Sequence, residues 1–266
     1  MTENFIDKQQ KDLFPTDTYF QDLDLYRSIS EENKDIAKHF KEHPTWRKYS
    51  SILDLGAGDG RMFLELYDND ALANTVNKIH FVDIDPNRID RVNMFLNDSP
   101  LKQVSKFTVG DISKLSKENY NTIDVALLIH VVYYLEDKQL KRVIENLPKN
   151  VPLFIVLDHP DSLFSSCWKY TAPKYLERTF AMTKLIESYN NQNNFKVQKT
   201  KIESLVKNPY LMNDEQEQEN LLSFITYSSY KDLTISTKNK VASIFKAFEN
   251  GKFLNIDCNC YCLVKN

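Results

Sequence analysis

Apolar positions along this chain follow two alternating rhythms. Short runs that are almost wholly apolar, Ser51–Leu55, the stretch from Lys78 to Asp83, 122–130 and Pro152–Asp158, have the length of strands covered on both faces. The segment 104–112 reads as a further strand that leads into a Gly-Asp turn. Between these runs apolar residues return every three or four positions, as in Met62-Phe63-Leu64-Glu65-Leu66-Tyr67. Strand and helix rhythms alternating at this spacing predict an α/β fold: a doubly wound, mostly parallel, seven-stranded sheet with helices on both faces.

The flanking segments are read in the same way. Residues 1–16 are a polar, unpatterned lead-in, and Tyr19, Phe20 and Tyr26 open an aromatic-rich stretch. Ser28-Ile29-Ser30-Glu31 has the look of a capping box, and Ile36, Ala37 and Phe40 carry a helical stripe towards Pro44. Beyond the fifth run, 175–189, 214–227 and 238–248 read as helices, with Gly251 as a stop signal. Residues 195–200 and 253–264 read as strands, the last closing the sheet at its edge, antiparallel to its neighbours. A single domain over residues 1–266 is expected, with an N-terminal helical lid at 1–48 and a helical substrate cap within 160–250.

Composition narrows the function classes. A formal charge of −3 gives no electrostatic footprint for nucleic acid or an acidic membrane. No apolar run approaches the ~18 residues that span a bilayer, and Met1-Thr2-Glu3-Asn4 is no signal peptide, so a cytoplasmic protein is expected. Cys258, Cys260 and Cys262 alternate along the last strand and, with Cys167, show no metal-ligand spacing. Buried, reduced thiols and no metal are the expectation.

The chemistry gathers where the strands end. Three of the five glycines stand at alternate positions in Asp54-Leu55-Gly56-Ala57-Gly58-Asp59-Gly60, between the first strand and a helix. Such a turn must adopt positive φ or admit a ligand closely, and the helix N-terminus behind it offers unpaired N–H groups. The spacing differs from the G-x-G-x-x-G of dinucleotide sites, although a nicotinamide-dependent oxidoreductase and a purely structural turn stay open. Asp83 ends the second strand, where a carboxylate accepts two hydrogen bonds from a ribose diol; Ile84 adjoins it. Asp85 is the alternative, or the N-cap of the helix that Pro86 begins. Ile129 and His130 end the fourth strand at the ligand-binding edge of such sheets, where the imidazole can orient an acceptor or take its proton. A histidine bonded to nearby backbone is the plain alternative.

The acidic residue followed by G-x-G-x-G resembles the first motif of class I S-adenosylmethionine-dependent methyltransferases. That resemblance implies a Rossmann-like methyltransferase fold, with S-adenosyl-L-methionine as cofactor and S-adenosyl-L-homocysteine as product. It passes the turn of Gly56, Ala57, Gly58 and Gly60 under the methionine and ribose portions, faces Asp54 to the cofactor's ammonium end, directly or through water, and gives Asp83 to the ribose hydroxyls. It assigns Asp111 to the adenine amino group and Ile112 to the adenine ring.

Over 120–266 the chain also resembles histamine N-methyltransferase, in Leu128-Ile129-His130-Val131-Val132-Tyr133-Tyr134-Leu135, in Phe164 and Trp168 before Lys169-Tyr170, and in Leu221-Leu222-Ser223-Phe224. The resemblance implies a small-molecule methyl acceptor, with an amine nitrogen as target, enclosed by Phe164, Trp168 and Phe224, with Tyr19 and Tyr26 at the lid. Glu32 matches the amine-anchoring glutamate, and His130, beside Tyr133, stands where that family has glutamine. A nucleic-acid methyltransferase is disfavoured, because Asn208-Pro209-Tyr210 lacks a proline of N-P-P-[YF] and lies far past the fourth strand. A non-catalytic cofactor-binding module is the rival outside enzymology.

Overall fold

The computed structural model describes residues 19–43, 46, 49–68, 72, 76–192 and 194–266; the lead-in 1–16 lies outside the described residues. Helix α1 (Tyr19–Ile29) and helix α2 (Glu32–Glu42) precede β1 (Ser51–Leu55), α3 (Arg61–Asp68), β2 (Lys78–Asp83) and α4 (Pro86–Phe95). Then come β3 (Ser105–Val109), β4 (Val125–Ile129), α5 (Asp137–Asn146) and β5 (Pro152–Asp158). The remainder is α6 (Leu163–Thr171), α7 (Pro173–Ser188), β6 (Phe195–Lys207), α8 (Glu215–Thr226), α9 (Ile235–Phe248), β7 (Glu249–Asn250) and β8 (Phe253–Lys265).

The chain divides into two compact units. One runs through Glu32 and continues in Asp158–Phe180 and Glu203–Cys258; we call it the aromatic unit. The other, the sheet unit, is Asn33–Leu157, Ala181–Ile202 and Asn259–Asn266. The segment expected to form a lid is thus shared, α1 belonging to the aromatic unit and nearly all of α2 to the sheet unit.

The sheet order is β3-β2-β1-β4-β5-β8-β6, with the two-residue β7 pairing to β8 off this path. β1 pairs in parallel with β2 and β4, β2 with β3, and β4 with β5. The chain reverses direction across the sheet after β3, returning to the far side of β1 at β4, so the loops after β1 and β4 share the carboxyl edge where open α/β sheets bind ligands. Every residue of β1 and β5 is buried, as strands covered on both faces require, while edge strand β3 is half-exposed. At the opposite edge Asp124 fixes the start of β1: its Oδ2 accepts from the Ser50 and Ser51 N–H groups and the Ser50 hydroxyl, at 2.8–2.9 Å. Those bonds hold its carboxyl below the usual range, against the opposing effect of burial. Phe154 of β5 packs under Phe40 and Trp46, with centroids 5.2 and 5.6 Å away.

Three sequence expectations are corrected. The last strand, β8, lies between β5 and β6, and β6 forms the edge. β6 runs well past residue 200, to Lys207; residues 198–201 are exposed, and beyond them buried Ile202, Ser204 and Val206 alternate with more exposed Glu203, Leu205 and Lys207, as suits an edge strand that keeps one face wet. Gly251 does not stop a helix, because α9 ends at Phe248 and Gly251 makes the tight turn from β7 to β8 at φ +63°. All four cysteines are free and buried.

Candidate active site

The first strand-to-helix turn is shaped by its glycines. Gly56, Gly58 and Gly60 all have left-handed backbones, at φ +79°, +58° and +78°. A Cβ on Gly56 would come within 2.5 Å of the Val131 side chain, and one on Gly60 within 2.8 Å of Val92. The main chain therefore meets the residue after His130 on one side and helix α4 on the other, and no side chain fits between. The Gly56 and Ala57 N–H groups both donate to the Val82 carbonyl, which ties the turn to the end of β2. Behind it, Asp59 is buried and bridges Arg61 at the mouth of α3 (3.1 Å).

Two aspartates face this turn with opposite support. Asp83 accepts from the Gly58 N–H at 2.9 Å and from the Asp85 N–H at 3.0 Å. Burial raises its pKa above the ordinary range, although those two bonds and the Arg88 guanidinium pull the other way. Asp54, 5% exposed, is pushed up to about 8 by burial first and then by the Asp83 charge. Asp85 caps α4 through the Asn87 N–H (2.9 Å) ahead of Pro86. It thus has a structural task, while the exposed Ile84 beside it is free to cover a planar ligand.

The adenine candidates lie at the end of β3. The Gly110 N–H donates to the Asp83 carbonyl at 2.8 Å, joining the two strand ends. Asp111 Oδ1 accepts from the Ser113 N–H and hydroxyl, both at 2.8 Å, and Oδ2 lies 3.7 Å from Lys114 Nζ. Ile112 is buried beneath this turn.

At the end of β4, Ile129 is half-buried and His130 adopts φ +54°, a left-handed conformation rare for a non-glycine residue. Its N–H donates to Val156 O (2.9 Å), and its Nδ1 lies 3.2 Å from the Tyr133 hydroxyl with the two rings stacked. Strain of this kind persists where surrounding structure imposes it, and it is concentrated at functional sites.

The acceptor candidates other than His130 and Tyr133 belong to the aromatic unit. Tyr26 stacks on Phe224 at 4.8 Å and meets Phe164 edge-on at 5.5 Å; Phe164 touches Trp168 at 5.8 Å, and Tyr19 meets Phe224 at 5.7 Å. The Tyr26 hydroxyl donates to Glu32 Oε2 at 3.0 Å. Burial above all, then the Glu32 and Asp158 charges, drive the phenol well above its ordinary pKa, so it stays a donor. Sequence reasoning missed two members of this cluster. Tyr175 and Tyr227 stack at 4.1 Å, and Tyr175 stands perpendicular to Trp168 at 4.8 Å. Tyr227 ends α8 in a left-handed conformation where the sequence offers no glycine to mark the cap.

A cavity of about 410 Å³ in the sheet unit is lined by His39, His43, Phe154, Gln198, Lys199, Thr200, Cys260 and Cys262. It shares no residue with the glycine turn, and its imidazoles, depressed chiefly by burial, are neutral near pH 7. The strained backbone and buried carboxylates make the turn the stronger site. Among the described residues no three His, Cys, Asp or Glu side chains are arranged to hold a metal ion, and no helix is long and apolar enough to cross a membrane.

Residues 52–151 match a family described as a methyltransferase domain. No curated protein matches the chain. Among solved structures, the chain is similar to the YcgJ protein from Bacillus subtilis, at TM-score 0.56 and 11% identity over 86% of this chain and 97% of that one. It is also similar to the methyltransferase domain of bacterial CtHen1-C, at TM-score 0.51 and 10% identity over 88% and 99% of the two chains. A third likeness is to the plantazolicin methyltransferase BpumL in complex with a triazolic desmethylPZN analog and SAH, at TM-score 0.50 and 14% identity over 94% and 93%. At these identities the likeness is one of fold: a mostly parallel sheet flanked by helices, the Rossmann-like methyltransferase fold.

Proposed function

We propose that the protein is an S-adenosylmethionine-dependent methyltransferase acting on a small molecule at an amine nitrogen. The observation that carries this reading is the glycine turn, whose three left-handed residues and blocked Cβ positions lie inside the segment matching a methyltransferase domain. The residues present fit the cofactor: Asp54 offers a buried carboxyl for its ammonium group, and Asp83 a carboxylate for its ribose hydroxyls. Asp111 and Ile112 receive the adenine. That BpumL was solved with SAH supports the same choice.

When bound, S-adenosylmethionine supplies an electrophilic methyl group. The chain's own work is to orient, desolvate and deprotonate. His130, bonded to Tyr133 and held out of the strand by its left-handed backbone, is assigned to accept the proton that the acceptor nitrogen loses. The aromatic cluster of Tyr19, Tyr26, Phe164, Trp168 and Phe224 is assigned to the acceptor, with Glu32 as its anionic partner; aromatic faces and a carboxylate together favour an amine cation. Four free thiols suit a reducing compartment, in keeping with a cytoplasmic location.

Calorimetric titration of the purified protein with S-adenosylhomocysteine and with NAD tests the cofactor assignment. Micromolar binding of the first and none of the second is expected. Binding of NAD alone overturns the reading. An acceptor screen with labelled methyl donor, begun on aromatic amines, then tests the nitrogen target, and transfer only to hydroxyls or thiols would overturn that part.

A further inference from the structure

Asp54 pairs with Phe81 near the end of β1, Asp83 ends β2 two residues further on, and the Asp83 charge acts on Asp54; the two differ in one respect. Asp83 is tied by two main-chain N–H groups and lies in the field of Arg88. Asp54 has neither support: among the described residues its carboxyl takes no hydrogen bond and no ion pair, although it is 95% buried. A buried carboxylate without a donor, next to a second carboxylate, is costly in its charged form. The cost vanishes if the group holds a proton, or if a cation is brought to it.

The other charged groups nearby do not supply that cation. On β2, Asp83 adds negative charge, and Asp85 beyond it caps α4. On α4, Arg88 acts on Asp83. On the turn, Asp59 and Arg61 pair with each other, and past β4 the His130 imidazole is bonded to Tyr133. The N–H groups of the turn that follows Asp54 are meanwhile committed elsewhere, those of Gly56 and Ala57 to the Val82 carbonyl and that of Gly58 to Asp83.

We infer that Asp54 is neutral in the ligand-free protein and releases its proton when an ammonium group seats on the glycine turn, so that cofactor binding is coupled to proton release. This rests on the cofactor assignment above and adds a property that the assignment does not contain. The ligand class follows from the chemistry: an adenosyl compound with a free α-ammonium triggers release, and the same nucleoside without the amino-acid portion does not. The proton passes from Asp54 to buffer, the ammonium stays protonated, and the site gains one ion pair.

The test is calorimetry with S-adenosylhomocysteine near pH 7 in two buffers of different ionisation enthalpy, beside 5′-methylthioadenosine, which lacks the ammonium. About one proton released per S-adenosylhomocysteine is expected, and none for methylthioadenosine. Below neutrality, affinity for S-adenosylhomocysteine should tighten about tenfold for each unit by which the pH rises, and it should level off above the Asp54 pKa of about 8. Asp54→Asn, which carries no titratable proton, should flatten that slope; wild-type buffer dependence decides the matter alone if the variant fails to fold. Buffer-independent binding with a flat pH profile overturns the inference and leaves the cofactor assignment standing. Absence of binding by either nucleoside overturns both.

Discussion

In the sheet unit the candidate ligand turn is shaped by main chain: three left-handed glycines, N–H donors aimed at Val82 and Asp83, and two positions where even a methyl group collides. In the aromatic unit the acceptor candidates are shaped by side chains: rings of Tyr26, Phe164, Trp168, Tyr175, Phe224 and Tyr227 resting on one another, with Glu32 bonded at one end. A backbone-built site admits almost no substitution without losing its geometry. A ring-built site keeps its position while its shape is retuned one side chain at a time. The difference teaches why a cofactor common to many enzymes is read from a motif while an acceptor is not.

The contrast can be broken by four measurements. Trp168→Ala deletes a ring that is 4% exposed and donates to the Ile225 carbonyl at 3.1 Å. It should cost about 3–5 kcal/mol of stability in denaturant titration, with nucleoside affinity unchanged at temperatures where the variant stays folded. A parallel loss of affinity would show that the two regions act as one.

Gly56→Ala is the converse case. Overpacking against Val131 and the left-handed backbone should weaken nucleoside binding about a hundredfold, or ~2.7 kcal/mol. Adding Val131→Ala should recover part of the loss. Failure to recover any would assign the whole effect to φ and not to the collision.

A third measurement concerns pH. Because the folded pKa of Asp54 is raised, the protonated carboxyl stabilises the ligand-free fold most at low pH, and the contribution is lost as pH climbs towards about 8. Between pH 6 and 8 the wild type should lose about 2 kcal/mol relative to Asp54→Asn. Using the variant as reference cancels His80, whose pKa burial lowers to about 4 and whose effect on stability has the opposite sign. Equal slopes would mean Asp54 does not titrate in this window. Smallest is Asp83→Asn, which keeps the shape but replaces one acceptor oxygen by a donor; about a tenfold weaker affinity for S-adenosylhomocysteine, ~1.4 kcal/mol, should appear in the same calorimeter. An unchanged affinity would move the ribose contact elsewhere.

What the sequence displayed of all this follows the same division. The strands up to β5, the N-cap at Asp85 with Pro86, and the glycine turn were legible because each depends on local chemistry: apolar runs, a carboxylate ahead of proline, residues that tolerate positive φ. The place of β8 was not, because order along a chain does not fix order across a sheet for a strand with no crossover helix to constrain it. The boundary between units was hidden because it cuts through α7, β6 and β8, which the residue pattern presents as uninterrupted elements. Tyr227 escaped because its cap carries no glycine, and His130 gave no sign of its left-handed backbone, since an apolar run disguises a terminus as more strand.

β8 begins in the aromatic unit and finishes in the sheet unit, where the Lys265 carbonyl accepts from the Asn150 N–H. During synthesis, neither unit is complete until this segment has left the ribosome, so the nascent chain must hold β5 with one flank unpaired while more than ninety residues are added between Asp158 and Phe253. An unpaired strand edge that is apolar up to its closing aspartate is a target for other chains, and its lifetime is set by the speed of translation. This protein should therefore depend on chaperone capture at the ribosome more than its size implies.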